Sequence, residues 1–459
     1  MAVYSGSDQK SDDHYSFASP SDLEKLLLVS KETERHILEY GTHVKVPASR
    51  KYSWYDYEWC RDTSYGVMYI DDFVSAAKKL ELDDIKEFKK EIKTLESASK
   101  KILLTLWDYL DKERIRIEDS GMNWDLKDDG SKLAVNHVLS RFDVDKKGRI
   151  LRAEPDRSAM FQSRSWLMQY DSVPLILIST ANHLKKFGAV SMLDQLPVIR
   201  KNLDFLVEYM ETFYSSPSAD AWEQYYFHGV ESSPFGKALV GKTIDSYTVS
   251  SIAAGLRAAQ SIGSFFVLDT RLGKTNEITK FLSDYFISSD PEVGDFLCKS
   301  KIEYGDKINS IGSEEVEIFN TFKPGFENKD IEKNTIKMIE KYLFGSGKLP
   351  IRYKFFGDFK NVIDTYFGGG AWFHSGLQMA QYYIDNGRMA EAKKIIDYVT
   401  QRINPDGSIP EQEKPSGPLN DPSGYLNNNG GEPIQCLFWA ETAYLSVSTK
   451  YMLKVAKRQ

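Results

Sequence analysis

Eleven amphipathic stretches at helical spacing run through this 459-residue chain, with very little strand-like alternation between them. The first, SPSDLEKLLLVSKETERHILEY, opens with Ser21 and Glu24 at capping-box spacing. The others cover residues 62–80, 82–112, 163–187, 195–214, 243–261, 270–288, 330–344, 366–386, 387–402 and 432–456, and a further short helix fits near 220–228. Strand signals are confined to RIRIE at 114–118, GRILRAE at 148–154 and EEVEIFNTF at 314–322. No period of 30–50 residues recurs, so about twelve helices suit a closed helical barrel better than an open solenoid. The expected architecture is all-α: a polar, flexible N-terminus at 1–18, then one barrel domain over 19–459 decorated by small β-hairpins. Long connections at 112–163, 289–330 and 403–431 are expected to carry function.

Several functional classes are excluded early. A net charge of −7 without a basic face argues against a nucleic-acid binder. Three distant cysteines form neither a disulfide framework nor a CxxC metal site. The opening MAVYSGSDQKSDDHYSF lacks the basic and apolar regions of a secretory signal, and no run of about 18 apolar residues could span a membrane. A cytoplasmic location is therefore expected. Aromatic residues are plentiful, and their faces serve both cores and sugar-stacking platforms.

Two motifs invite readings that their context weakens. GKALVGKT, Gly236 to Thr243, fits the phosphate-loop pattern, with Lys242 for charge, Thr243 for Mg²⁺, and FFVLD ending at Asp269 as a companion motif. That loop needs a preceding strand and a parallel sheet, and HGVESSPF is a poor strand. DVDKKGRILRAE places Asp143, Asp145, Gly148 and Glu154 at calcium-loop positions, but Lys147 stands where an oxygen ligand belongs. The apolar GRIL there reads better as a turn entering a strand. The histidines show no HExxH pairing, so neither metal nor cofactor is expected.

The remaining chemistry is in carboxylates set among aromatics. YSWYDYEWCRDTSY places Arg61 and Asp62 after five aromatic residues and before a helix. Asp62 there is either a helix cap or, with Arg61, a grip on a polyhydroxylated ring. DAWEQ holds Glu223 between Trp222 and Gln224; a carboxyl desolvated against an indole stays protonated and can act as a general acid. GSIPEQ sets Glu411 on a Gly/Pro-rich rim between helices. Two such carboxylates are the equipment of glycoside hydrolysis, one protonating the leaving oxygen and the other activating water.

In order along the chain, these segments resemble glycoside hydrolase family 15, the glucoamylases, glucodextranases and their trehalose- and isomaltose-hydrolysing relatives. YDYEWCRD is similar to that family's Y-x-Y-x-W-x-R-D segment through Tyr55, Tyr57, Trp59, Arg61 and Asp62. SWLMQYDSVP is similar to W…Q-x-D-x-x-P through Trp166, Gln169, Asp171 and Pro174. DAWEQ resembles the segment of the catalytic acid, and GSIPEQ that of the base. RYKFF…GGGAWF matches through Arg352, Tyr353, Gly370 and Trp372, and CLFWAETA through Trp439.

The resemblance implies an (α/α)6 barrel and an exo-acting, inverting α-glucoside hydrolase that releases β-glucose. It implies Glu223 as general acid, Glu411 as general base and Tyr55 as a water-positioning residue. Arg61, Asp62, Trp59, Trp166, Asp171, Trp222, Gln224, Arg352, Trp372 and Trp439 would bind the sugar. Gln224 stands where the family commonly has a second glutamate, and Cys436 where it has proline. A short α-glucan or α-glucosyl disaccharide is the expected substrate, without nucleic-acid or membrane partners. A non-catalytic sugar-binding barrel and a nucleotide-binding protein are the alternatives.

Overall fold

The computed structural model describes residues 18–51, 56–119, 138–152, 169–216, 243–270, 273–302, 307–308, 310–344, 348–357, 370–413 and 434–458. Among the described residues, twelve helices follow one another in alternating roles. The inner ones are α2 (Cys60–Lys79), α4 (Ser172–Phe187), α6 (Ser246–Phe266), α8 (Glu315–Glu317, continuing as a π-helical turn over Ile318–Phe322), α10 (Phe373–Asp385) and α12 (Phe438–Ala456). Each packs on the next, and α12 packs back on α2, so six staves close a ring. The outer layer is α1 (Pro20–His36), α3 (Lys86–Asp119), α5 (Leu196–Phe213), α7 (Thr275–Phe286), α9 (Asp330–Tyr342) and α11 (Met389–Thr400). This is the (α/α)6 barrel.

The two layers differ in sequence for a physical reason. Outer helices keep one apolar stripe against the ring and a charged face outward, as in TNEITKFLSDYF of α7, where Ile278, Leu282 and Phe286 are buried. Inner helices are enclosed on nearly all sides. In α6, SYTVSSIAAGLRAAQSIGSFF, small residues predominate and sixteen of its residues are buried. Close approach is the reason: a methyl group on Gly255 would lie 2.5 Å from Pro174 Cβ of α4 and 2.8 Å from Met210 Sδ.

Strand signals translate unevenly. RIRIE lies inside α3, because a continuous apolar face beginning at Phe88 extends through Ile117. EEVEIFNTF is not a strand either but the stave α8. Its β-branched and aromatic residues are those of a helix buried all round, which periodicity cannot separate from a buried strand. GRILRAE does contribute β5 (Ile150–Arg152), the outer strand of a sheet with β4 (Arg141–Val144) and β3 (Glu58–Trp59). α1 is capped two residues earlier than its sequence suggests: Ser19 and Asp22, not Ser21 and Glu24, form the capping box.

The calcium-loop reading gives way to this hairpin. Asp145 Oδ1 accepts from the Lys147 and Arg149 amides, each at 2.9 Å, while Oδ2 takes Arg149 Nε at 2.7 Å. Asp143 pairs with Lys45 at 2.9 Å. Glu154 lies outside the described residues. The phosphate-loop reading also fails where its end is described. Thr243 opens β6 (Thr243–Asp245), which pairs antiparallel with β9 (Ser300–Ile302), whereas a phosphate loop feeds directly into a helix. Phe265 and Phe266 of FFVLD end α6, and Val267 terminates that helix in the left-handed conformation. Gly236 to Lys242 lie outside the described residues. All pairings among the described strands are antiparallel.

Candidate active site

The N-terminal ends of the inner helices bring the sequence-selected residues together. Trp59 directly precedes α2, so Arg61 and Asp62 fall in its first turn. Asp62 is thus not the helix cap, although its charge suits the positive end of the helix dipole. Asp171 precedes α4 without bonding that helix's amides. Its Oδ2 instead accepts from Arg61 Nε at 2.5 Å, both residues being buried. Asp171 holds the N-cap position of α4, but its side chain turns to the neighbouring stave α2.

Arg352 precedes β12 (Tyr353–Phe355), which pairs with β11 (Ser310–Gly312) at the head of α8. Its guanidinium lies 5.3 Å from the Trp372 ring and 5.4 Å from Tyr353. Arg141, unremarked in the sequence, stacks over Tyr57 at 4.7 Å and over Trp59 at 5.5 Å. Such planar cation–aromatic faces hold rings in fixed orientation.

Glu411 belongs to an extended segment laid between two inner-helix entries. Its amide donates to the Ile434 carbonyl at 2.8 Å, and its carbonyl accepts from the Phe373 amide at 3.3 Å. Gln412 bridges Trp372, and the Leu437 amide donates to Ile409 at 2.9 Å. A loop residue is ordinarily solvated. This one is 3% exposed, because its backbone is pinned to the starts of both α10 and α12.

Below the rim, a polar network crosses the barrel axis. Tyr65 of α2 hydrogen-bonds Tyr247 of α6 through their hydroxyls at 3.1 Å and donates to Glu317 of α8. His374 of α10 stacks on Trp439 of α12 at 4.2 Å with planes 9° apart. Gln378 donates to the Tyr69 hydroxyl, which leaves Tyr69 to donate to His374 Nε2 at 3.0 Å. His374 Nδ1 lies 3.4 Å from Glu317 Oε1. Burial pushes Glu317 up to about 8, against the Tyr65 hydrogen bond and the Arg61 charge, and burial also lowers His374 to about 3. Burial thus favours the neutral forms of Glu317 and His374 in a network of hydroxyl, imidazole and carboxyl groups.

Sequence reasoning missed Glu317, Tyr65, Tyr69, Tyr247, His374 and Arg141. Tyr65 and Tyr69 stand at i, i+4 on one helix face, a signal shared with any core stripe. Glu317 was hidden by the strand reading of its segment. Tyr55, Trp166, Trp222, Glu223 and Gln224 lie outside the described residues. At the other end of the staves a cleft of about 500 Å³ is lined by Asn320, Lys323, Lys329, Glu332, Asp385 and Lys450; none of the residues named above contributes to it.

Solved structures resemble the fold of this chain over nearly its full length. One is a wild-type glycosidase, with a TM-score of 0.63, 18% identity, and coverage of 95% of this chain and 99% of that one. A variant glycosidase solved in complex with glucose matches with a TM-score of 0.63 and 17% identity over the same shares. The Hormoconis resinae glucoamylase matches with a TM-score of 0.59 and 14% identity, covering 94% of this chain and 73% of that one. The chain shares the six-hairpin fold of these glycosidases. No family model matches it, and no curated protein does. No helix among the described residues is long and apolar enough to cross a membrane.

Proposed function

We propose that this protein is an exo-acting, inverting α-glucoside hydrolase that releases β-glucose from the non-reducing end of a short α-glucan or α-glucosyl disaccharide. The observation that carries the reading is the buried Glu411, held between the Trp372 and Leu437 helix entries on the rim where Arg61, Asp171 and Arg352 also gather. The six-hairpin fold shared with glycosidases supports it. So does the order of the sequence segments.

In this mechanism Glu411 takes a proton from the attacking water, Tyr55 orients that water, and Glu223 protonates the departing glycosidic oxygen. Inversion requires a water between base and sugar, which places such carboxyls about 6.5–9.5 Å apart. Arg61 and Asp62 grip the terminal glucose, with Arg61 fixed by Asp171 so that its orientation is set before substrate arrives. Trp59, Trp166, Trp222, Trp372 and Trp439 supply the apolar walls, Arg352 reaches the first sugar or its neighbour, and Gln224 contacts the leaving side. The polar network below the rim, in which burial favours neutral forms, offers hydrogen-bonding groups beneath the ring.

A proton NMR time course over maltose, isomaltose, kojibiose, nigerose, trehalose, maltotriose and short dextran tests the reading. Prompt β-glucose from one linkage is expected, and Glu411→Gln and Glu223→Gln should each reduce kcat by about 10³-fold or more with the fold intact. Release of the α-anomer first would overturn inversion. Binding without glucose release from any sugar would make the protein a sugar-binding barrel.

A further inference from the structure

Where the ring closes, four side chains from the two ends of the sequence meet in the interior. Glu32 and His36 stand at i, i+4 on the last turns of α1, Cys436 just precedes α12, and Glu441 lies in its first turn. All four are buried, and one ligand-type atom from each lies within 4.8 Å of all the others. His36 Nε2 is 2.9 Å from Cys436 Sγ and 3.4 Å from a Glu441 oxygen, and Sγ is 3.3 Å from Glu32 Oε1. We propose that these residues form a structural binding site for one divalent transition-metal ion, zinc before others, that ties α1 to α12.

Three independent features converge on this assignment. The first is ring orientation. His36 Nδ1 faces the Pro47 carbonyl at 3.4 Å, which directs Nε2 into the cluster. Metal-binding histidines are oriented by just such a backbone carbonyl. The second is the backbone of Cys436, a non-glycine residue with φ +66, a conformation that costs free energy and is kept only where the surroundings demand it. The third is donor type and spacing. Zinc takes thiolate, imidazole and carboxylate ligands at roughly 2.0–2.3 Å, which makes tetrahedral edges of about 3.3–3.6 Å. The His36–Glu441 and Cys436–Glu32 edges already have that length; the sulfur needs to retreat from the ring by about half an ångström, and the wider pairs, within 4.8 Å, need to draw in toward the ion.

Charge balances as well. Glu32 also pairs with Arg35 and Arg50, and Arg50 reaches the Cys436 sulfur too. Three anionic ligands would face a divalent cation and the Arg35 and Arg50 guanidiniums, so that no excess negative charge is buried. The Leu437 amide, beside Cys436, donates to the Ile409 carbonyl at 2.9 Å, which links the site to the segment that carries Glu411. The competing arrangement is a hydrogen-bonded network closed by Arg50.

The experiment uses the full-length, untagged protein, reduced with a non-chelating phosphine. Elemental analysis after zinc-supplemented expression should find one zinc per chain. After removal of the ion by chelator, Co²⁺ titration should saturate at one equivalent, with a thiolate-to-cobalt charge-transfer band and the d–d bands of a four-coordinate site. Titration in buffers of different ionisation enthalpy should report proton release on binding. Cys436→Ser should abolish the charge-transfer band, and Glu441→Gln should weaken binding about 10-fold or more. Absence of bound zinc together with no cobalt spectrum in the wild-type chain would overturn the proposal without recourse to any variant. So would a cobalt spectrum that Cys436→Ser leaves unchanged.

Discussion

Glu317 lies where three inner helices bring charge and hydroxyls together, and its proton couples stability to pH. An unfolded carboxyl of this kind ionises near 4.5, while the folded one is pushed up to about 8 by burial. Between those values unfolding releases a proton, so its contribution is complete below pH 4.5 and is lost as pH rises through 8. The expected slope is roughly 1.4 kcal/mol per pH unit in that window. Glu317→Gln mimics the neutral carboxyl and removes the slope: the variant should gain on the wild type progressively from pH 5 to 8 in urea midpoints. An unchanged difference across that range would show that Glu317 is charged in the native protein. His374 acts in the opposite sense. With its folded value lowered to about 3, it contributes above the unfolded value and loses that contribution as pH falls from 6.5 toward 3.

At the scale of elements, the hairpin of β4 and β5 shows how a decoration serves the rim. Arg141 on β4 stacks against Tyr57 and Trp59 just before α2 begins, so the hairpin braces the aromatic entry to Arg61. Its turn depends on Gly148, which has φ +74 and lies against the Tyr40 carbonyl oxygen of another hairpin. A side chain there meets both a disfavoured backbone and an occupied space. Gly148→Ala should cost about 1–3 kcal/mol in a urea titration and, if the rim binds sugar, raise KM more than it lowers kcat. The two strand readings that became helices belong to this scale too. RIRIE and EEVEIFNTF alternate well enough locally, but their environment was decided by neighbours, α3 by a long apolar face and α8 by enclosure within the ring.

For the whole molecule, closure is the property that sequence neighbours cannot supply. α12 packs on α2, α10, α1 and α11, so the last stave completes what the first one began. Ending the chain before Phe438 would leave apolar faces of α2 and α10 in water. Such a truncation should lose the cooperative thermal transition altogether, as followed by circular dichroism at 222 nm. A sharp transition in the truncated chain would mean that the remaining staves are stable without a closed ring.

Much of this protein is a local property of its residues. Helical periodicity marked ten of the twelve helices and part of another, and the RD pair, QYDSVP, RY and GSIPEQ marked the rim positions of Arg61, Asp171, Arg352 and Glu411. Turn residues and apolar period act over a few residues, and so they can be read there. Burial is different, because it depends on what arrives from elsewhere in the chain. Only the tertiary structure turned Asp171 toward Arg61, raised Glu317 by enclosing it, and set Cys436 against His36 across 400 positions of sequence. Those features come from desolvation and long-range contact, and no window of sequence contains both partners.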